Sequence, residues 1–228
     1  DEPRNNLRNM LELYMVGTSA QGYTAGWIMW PYVDMELRVR DIKFMRYLDN
    51  GHRDKERNPT WMNYVLSSIG QFDRETCKVI RCLFGLHLAK IYPDAEVCLV
   101  ESEKTALIMA TYYGNMSRNL WLATGGLQFF DRKHIQVLID QGRDIVVYPD
   151  KDGLKQWSER TLQLIHETGY KKLKVNPTII SNQWQPCDGP KADIADITIR
   201  QMEASAKSKG KMILSGFIAE NPLIGTLV

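Results

Sequence analysis

The sequence predicts an α/β fold: a small parallel sheet with helices on both faces, preceded by a smaller mixed α+β subdomain. From about residue 94, short apolar runs alternate with helical stretches, the pattern of βαβ units whose strands are buried on both faces. Before that point the apolar segments are rich in aromatic and β-branched residues and are broken by turn residues. The predicted boundaries are 1–92 for the N-terminal subdomain, 93–206 for the parallel-sheet domain and 207–228 for a C-terminal tail.

The N-terminal subdomain is expected to contain helices and two long strands. The spacing of its apolar residues predicts an amphipathic helix at Leu7–Val16. Aromatic and β-branched residues predict strands at Gly26–Tyr32 and Leu37–Tyr47, and the Asp-Asn-Gly sequence at 49–51 predicts a turn. A helical pattern follows at Leu83–Lys90.

The second domain is expected to contain four buried strands with helices between them. The strands are the apolar runs Val97–Val100, Leu120–Ala123, Ile145–Tyr148 and Lys172–Val175. The helices are Glu103–Tyr113, Arg132–Gln141 and Leu154–Thr168. Since strand–helix–strand connections within one sheet are right-handed, these elements are expected to form a parallel sheet covered by helices.

The composition is that of an ordinary globular protein. The 228 residues are 44% hydrophobic and 25% charged, with a formal net charge of +2 that is too small to indicate nucleic-acid binding by itself. No apolar run approaches the ~20 residues that span a bilayer and no signal peptide is visible, so a cytoplasmic protein without a membrane partner is expected. The four cysteines form no CxxC pair and are expected to be buried thiols in a reducing compartment.

Acidic residues follow the predicted strands. Glu101 comes after the first strand, Asp150 and Asp152 after the third, and Asp193 and Asp196 lie in the loop after the fourth. Ligands of open α/β sheets bind beyond the carboxyl ends of the strands, and clustered carboxylates suit Mg²⁺ or Mn²⁺. The alternative for a single acid such as Asp152 is a helix cap. Neither a G-x-G-x-x-G nor a P-loop sequence occurs, which disfavours dinucleotide and P-loop nucleotide sites.

Three segments resemble the motifs of the Toprim domain, which bacterial-type primases, topoisomerases and related nucleases share. Leu99–Ala106 (LVESEKTA) resembles the motif whose strand ends in Glu, and Val146–Gly153 (VVYPDKDG) resembles the Asp-x-Asp motif. Lys191–Asp196 (KADIAD) is similar to the downstream acidic segment of primases. The sequence departs from the family at Ser102, usually Gly, and at Thr105, where primases often have a further Asp; Asp152 is followed by Gly-Leu rather than Ala-Gly.

The N-terminal half also resembles bacterial-type primases. Leu83–Ala89 (LFGLHLA) is similar to the Leu-Tyr-Gly-Leu helix that precedes the catalytic Glu, and Gly26–Ile28 and Arg38–Phe44 resemble strands of the primase subdomain. The whole layout looks like the Toprim-like proteins of Bacteroides-type plasmids and mobilisable elements. Those proteins often carry a zinc-binding segment, which here would precede Asp1.

The resemblance implies a Rossmann-like Toprim fold and a metal-dependent primase-like nucleotidyltransferase that makes RNA primers on single-stranded DNA. Asp150 and Asp152 would hold one or two Mg²⁺ or Mn²⁺ ions, and Glu101 would be a ligand or the proton-transferring group. Asp193 and Asp196 would complete the acidic cluster. The implied partners are single-stranded DNA, nucleoside triphosphates and a replicative helicase.

Basic and aromatic residues supply candidate contacts to nucleic acid. Positive charge is concentrated between Arg38 and Arg57, and two further lysines flank the acidic motifs. The candidates for binding template or triphosphate phosphates are Arg38, Arg40, Lys43, Arg53, Lys55, Lys104 and Lys151. Trp27, Trp30 and Trp61 are interpreted either as base-stacking residues or as core, and His87 as a core histidine.

Two other functions stay open at this point. A Toprim nuclease or strand-cleavage enzyme would use the same acids and metals for phosphodiester cleavage. A degenerate Toprim protein would bind DNA or a replication partner without catalysis, and the loss of an acid at Thr105 together with the modest net charge favours this alternative over an active enzyme.

Overall fold

The computed structural model describes residues 3–176 and 184–209. Residues up to Cys82, together with the end of the last helix from Ser205, belong to one compact unit and residues 83–204 form the other. This division falls ten residues before the predicted boundary between 92 and 93. Of the predicted tail 207–228, only 207–209 lie within the described residues, at the end of a helix.

The first unit is built on a four-stranded antiparallel sheet in the order β1-β2-β3-β4. Its elements are α1 (Pro3–Leu13), β1 (Gly17–Thr18), β2 (Ile28–Val33), β3 (Val39–Met45), β4 (Thr60–Trp61) and α2 (Met62–Ser68). The turn between β2 and β3 is closed by Asp34, whose carboxylate accepts hydrogen bonds from the backbone N–H groups of Glu36 (3.1 Å) and Arg38 (3.0 Å). Trp30 and Phe44 are buried on this sheet.

The second unit is built on a four-stranded parallel sheet in the order β6-β5-β7-β8. Its strands are β5 (Glu96–Val100), β6 (Asn119–Ala123), β7 (Ile145–Val147) and β8 (Leu173–Val175). Its helices are α3 (Leu88–Ile91), α4 (Glu103–Tyr113), α5 (Arg132–Asp140), α6 (Leu154–Thr168) and α7 (Ile194–Lys209). The sheet is flanked by helices and preceded by the mixed unit, so the predicted fold class is confirmed.

The central strands are apolar because both faces of the sheet are covered. Val97, Cys98 and Leu99 on β5 are each 0% exposed, and the three residues of β7 are buried as well. The helices that follow end where the chain turns left-handed: α4 at Gly114 (φ 63°) and α6 at Gly169 (φ 69°).

A buried arginine stabilises the backbone just before the first strand of this sheet. The Arg143 guanidinium donates hydrogen bonds to the carbonyl oxygens of Ala89 (3.1 Å), Tyr92 (2.8 Å) and Ala95 (2.8 Å). These carbonyls belong to the segment that leads from α3 into β5, so one side chain satisfies three backbone acceptors there.

Two sequence predictions about local structure are wrong. The helix predicted at Leu83–Lys90 begins only at Leu88, because the N–H and C=O groups of Phe84 pair with the backbone of Ala123 beyond the edge of the sheet. The four cysteines are not all buried: Cys98 is buried and Cys82 half-buried, and burial raises the pKa of each thiol to about 12, whereas Cys77 and Cys187 are exposed. None of the helices described is long and apolar enough to span a membrane.

Candidate active site

The predicted acids lie where the two central strands of the parallel sheet end. Glu101 follows β5 directly, and Asp150 and Asp152 lie in the turn that leads from β7 into α6. Because β5 and β7 are hydrogen-bonded neighbours, their carboxyl ends meet at one edge of the sheet. Gly125, after β6, donates its N–H to the Glu101 carbonyl oxygen (2.8 Å) and extends this edge by one strand.

The Asp150–Asp152 turn is held by main-chain hydrogen bonds to the segment before α7. Lys151 N–H donates to the Ala192 carbonyl oxygen (2.9 Å) and Asp152 N–H donates to that of Pro190 (2.8 Å). These bonds bring Asp193 to the same edge, although about 40 residues separate the two segments. The backbone therefore assembles acids from three separate parts of the sequence.

The charges of three other acids act on Asp150. The pKa of Asp150 is raised to about 8 by burial and then by the charges of Asp193, Glu101 and Asp152, with partial relief from Lys191. Burial also raises the pKa of Asp193, and the neighbouring charge of Asp196 adds to the effect. With a pKa of about 8, the Asp150 carboxyl is largely protonated at neutral pH and would release its proton to a bound cation.

Asp193 and Asp196 also begin α7. The Asp193 Oδ1 atom accepts hydrogen bonds from the N–H groups of Ala195 (2.8 Å) and Asp196 (3.1 Å), and Asp196 Oδ2 accepts one from Asp193 N–H (3.0 Å). This reciprocal arrangement is a capping box. Asp196 is exposed and contributes to the site mainly through its charge on Asp193. The helix-cap alternative considered for Asp152 thus applies to these two acids instead.

The donor chemistry of this edge fits a hard divalent cation, although its side chains do not enclose one. Glu101, Asp150, Asp152 and Asp193 offer carboxylate oxygens only, the ligands that Mg²⁺ and Mn²⁺ prefer. The pKa of Asp150 is raised first by burial and then by the charges of the neighbouring acids, and a bound cation would oppose both effects. Among residues 3–176 and 184–209, no three His, Cys, Asp or Glu side chains are close enough together to hold an ion as they stand.

The lysines at this edge differ in their partners. Lys191 Nζ lies 3.7 Å from Asp152 Oδ2, and the charge of Lys104 lowers the pKa of Asp193. Lys151 donates instead to the Asp188 carbonyl oxygen (2.9 Å), and its ammonium lies 5.7 Å from the centroid of the Trp184 ring. Lys151 is therefore bound to its own supporting loop.

Three of the predicted basic residues of the first unit already have partners there. Arg38 Nε lies 2.8 Å and Arg40 Nη1 3.7 Å from Asp34 Oδ2, and the hydrogen bonds and charge of Arg38 lower the pKa of that carboxyl despite its desolvation. Lys43 is buried with its ammonium 5.8 Å from the Trp61 ring centroid. Arg53 and Lys55 are exposed.

The tryptophans and the histidine considered above are structural for the most part. Trp27, Trp30 and His87 are at most 6% exposed, in agreement with their interpretation as core residues. Trp61 is half-buried, with the Tyr32 ring 5.2 Å away and the Arg81 guanidinium 3.6 Å from its centroid.

A second basic feature of the first unit combines Trp27, a candidate from the sequence, with two arginines that were not named individually as candidates. A cleft of about 380 Å³ is lined by arginine and aromatic side chains. These residues are Tyr23, Trp27, Arg46, Tyr47 and Arg57. Arg46 Nε lies 3.5 Å from Asp54 Oδ2, but the Arg46 side chain is still 47% exposed. Tyr23 is 60% exposed, so a guanidinium and an aromatic ring are both accessible in the cleft. The charge density between Arg38 and Arg57 was a signal for this region, but it did not separate the arginines held by Asp34 from those that line the cleft.

Residues 2–151, about two thirds of the chain, match the family described as Domain of unknown function (DUF6371). The chain belongs to this family. The DUF6371 match includes residues 2–82 of the first unit and ends one residue after Asp150, so it covers Glu101 and Asp150 but neither Asp152 nor Asp193. A search of curated proteins found no significant match.

Solved structures similar to this DUF6371 protein are primase domains. The primase fragment of the bacteriophage T7 primase-helicase protein matches with a TM-score of 0.53 at 13% identity, over 88% of this chain and 69% of that one. A bacteriophage T7 lagging-strand polymerase structure, in which primase domains of two gp4 subunits are bound to an RNA/DNA hybrid and dTTP, gives a TM-score of 0.51 at 14% identity, over 88% and 84%. The RNA polymerase domain of Mycobacterium tuberculosis primase gives 0.47 at 18%, over 95% and 68%. The two T7 structures show that the chain has a primase-like fold.

Proposed function

We propose that this protein is a Toprim-type, metal-dependent nucleotidyltransferase of a mobile element, which makes RNA primers on single-stranded DNA. The observation that carries the proposal is the set of coupled carboxylates at the ends of β5 and β7 in a primase-like fold. The proposed substrates are nucleoside triphosphates and a single-stranded DNA template. The T7 primase domains, in comparison, are bound to an RNA/DNA hybrid and dTTP. A replicative helicase is the proposed partner, since the T7 relative is a primase-helicase.

The side chains of the site divide the chemistry between them. Asp150, Asp152 and Asp193 are proposed to hold the cation, which when bound neutralises the phosphates of the incoming nucleotide. Glu101 accepts the proton of the primer 3′-hydroxyl as that oxygen attacks the α-phosphorus and pyrophosphate leaves. Lys104 and Lys191 add positive charge beside the acids. Positioning and charge neutralisation account for most catalysis of phosphoryl transfer.

A priming assay tests this function. The protein is incubated with circular single-stranded DNA, Mg²⁺ or Mn²⁺ and labelled ribonucleotides, and short RNA products are resolved by size. Wild type is expected to make primers, and Asp152→Asn to lose at least about 100-fold in rate, because one ligand of the cation is removed. Asp140→Asn, an exposed acid at the end of α5, is the matched control and is expected to retain full activity.

The alternatives give different products in the same assay. Shortened or nicked DNA without RNA synthesis would support a Toprim nuclease. A folded wild-type protein that binds DNA but makes neither product would support a non-catalytic binding module and would contradict the proposed enzyme.

The cleft around Arg46 and Arg57 is the proposed site for single-stranded DNA in the first unit. Its guanidinium groups suit phosphates and its aromatic rings suit bases. Arg46→Ala/Arg57→Ala is expected to weaken DNA binding by at least about tenfold and to reduce the slope of log K against log salt by about 0.7 for each phosphate that the variant no longer neutralises. Fluorescence anisotropy at three salt concentrations measures both quantities.

Arg74→Ala is the control for this double variant. Arg74 is an exposed arginine of the same unit that stacks on Tyr64, 3.7 Å from the ring centroid, and it does not line the cleft. A decrease in log affinity that is the same per arginine removed in the control and the double variant would show that net charge, rather than the cleft, determines binding.

A further inference from the structure

Thr105 connects the helix after Glu101 to the acid before α7. It lies in α4, is 1% exposed, and donates its hydroxyl hydrogen to Asp193 Oδ2, 88 residues further along the chain. Burial of the Thr105 hydroxyl makes this hydrogen bond hard for water to replace.

Asp193 is consequently fixed through both of its carboxylate oxygens. Oδ1 accepts two backbone N–H groups at the start of α7, and Oδ2 accepts the Thr105 hydroxyl. Two anchoring points on different oxygens set the plane of the carboxylate, which one point could not do. Each oxygen has two lone pairs, so Oδ2 retains one that is available to a cation.

We propose that Thr105 is a positioning residue of the acidic site, whose hydroxyl holds the Asp193 carboxylate in the orientation needed to bind a divalent cation. This inference rests on the proposed function, because it assigns Asp193 to the cation. Groups that hydrogen-bond to ligating carboxylates usually change metal affinity by 10- to 100-fold when they are removed. Thr105 thus serves the site through a hydrogen bond, without adding a further negative charge to it.

A second buried hydroxyl lies at the contact between α4 and α7. It allows the effect of the Asp193 hydrogen bond to be distinguished from the effect of packing between the two helices. Thr198 on α7 is 4% exposed, donates to the Ile194 carbonyl oxygen (2.8 Å) and lies 3.5 Å from Met109 Sδ on α4. It shares burial, residue type and helix pair with Thr105, but its hydroxyl donates to a carbonyl oxygen rather than to an acid. Thr198→Val is therefore the matched control for Thr105→Val.

The experiment is a calorimetric titration of the full chain with Mn²⁺ alone, at pH 8, for wild type, Thr105→Val, Thr105→Ser and Thr198→Val. Thermal unfolding of each metal-free variant is measured in parallel, so that affinities are compared only among folded proteins. We expect Thr105→Val to bind Mn²⁺ 10- to 100-fold more weakly, while Thr105→Ser, which keeps the hydroxyl, and Thr198→Val stay within about threefold of wild type.

The other possible results would reject the positioning role, the importance of the Asp193 hydrogen bond, or the cation site itself. Equal Mn²⁺ affinity in wild type and Thr105→Val, with a lower melting temperature in the variant, would make Thr105 purely structural and leave the proposed cation site intact. Equally weakened binding in Thr105→Val and Thr198→Val would show that helix packing, rather than the Asp193 hydrogen bond, determines affinity. Absence of binding by wild type at millimolar Mn²⁺ would reject both the positioning role and the proposed cation site.

Discussion

Asp150→Asn is expected to stabilise the metal-free protein above pH 7 and to abolish its cation binding. In the folded chain the pKa of Asp150 is about 8, against an ordinary value of 3.8, so folding retains a proton that the unfolded chain releases. The contribution of Asp150 to the free energy of unfolding therefore falls as pH rises from about 4 to about 8. Each pKa unit corresponds to about 1.4 kcal/mol, so the penalty at pH 8 is on the order of a few kcal/mol.

Asparagine has nearly the same shape and carries no charge, so it removes this penalty. Urea unfolding at pH 5, 6.5 and 8 without metal is expected to show a difference between variant and wild type that grows with pH. In wild type, Mn²⁺ affinity is expected to rise about tenfold per pH unit up to pH 8, because binding displaces the proton. Stability curves for Asp150→Asn and wild type that run parallel in pH would contradict the raised pKa of Asp150.

Arg143→Met is expected to destabilise the second unit by about 3–5 kcal/mol, because it leaves three carbonyl oxygens without their donor. Arg143→Lys keeps the charge but lacks the planar fork that reaches three acceptors, and an intermediate destabilisation is expected. Arg118→Met, an exposed arginine before β6, is the control and is expected to change stability by less than about 0.5 kcal/mol. Urea denaturation measures the free energy of unfolding of all three variants. A decrease below about 1 kcal/mol for Arg143→Met would show that water can replace the guanidinium.

The parallel-sheet half was predictable because its signals are local. Continuous apolar runs mark the buried strands, and α4 and α6 have the predicted bounds, since apolar periodicity and the adjoining glycines act within a few residues. The segment at Leu83–Lys90 was not predictable in this way. The segment is helical only from Leu88 onward. Phe84 instead pairs with Ala123, almost 40 residues away, and a single sequence contains no signal for that pairing.

The candidate site was predictable at the level of its acids but not of their environment. Strand ends indicated Glu101, Asp150 and Asp152 because topology alone brings neighbouring strand ends together. The double role of Asp193, as a helix cap and as the acid whose charge most affects Asp150, depends on tertiary contacts. The same holds for Arg38 and Arg40, whose charges looked available in the sequence but are matched by Asp34.

The distribution of the thiols provides a pair of labelling positions without any substitution. Cys77 is exposed in the first unit and Cys187 in the second, while Cys82 and Cys98 are shielded and have pKa values of about 12. Thiolates react with maleimides far faster than thiols, so a brief reaction near neutral pH places fluorophores selectively on the exposed pair. Energy transfer between the two dyes then measures the distance from one unit to the other, before and after single-stranded DNA is added.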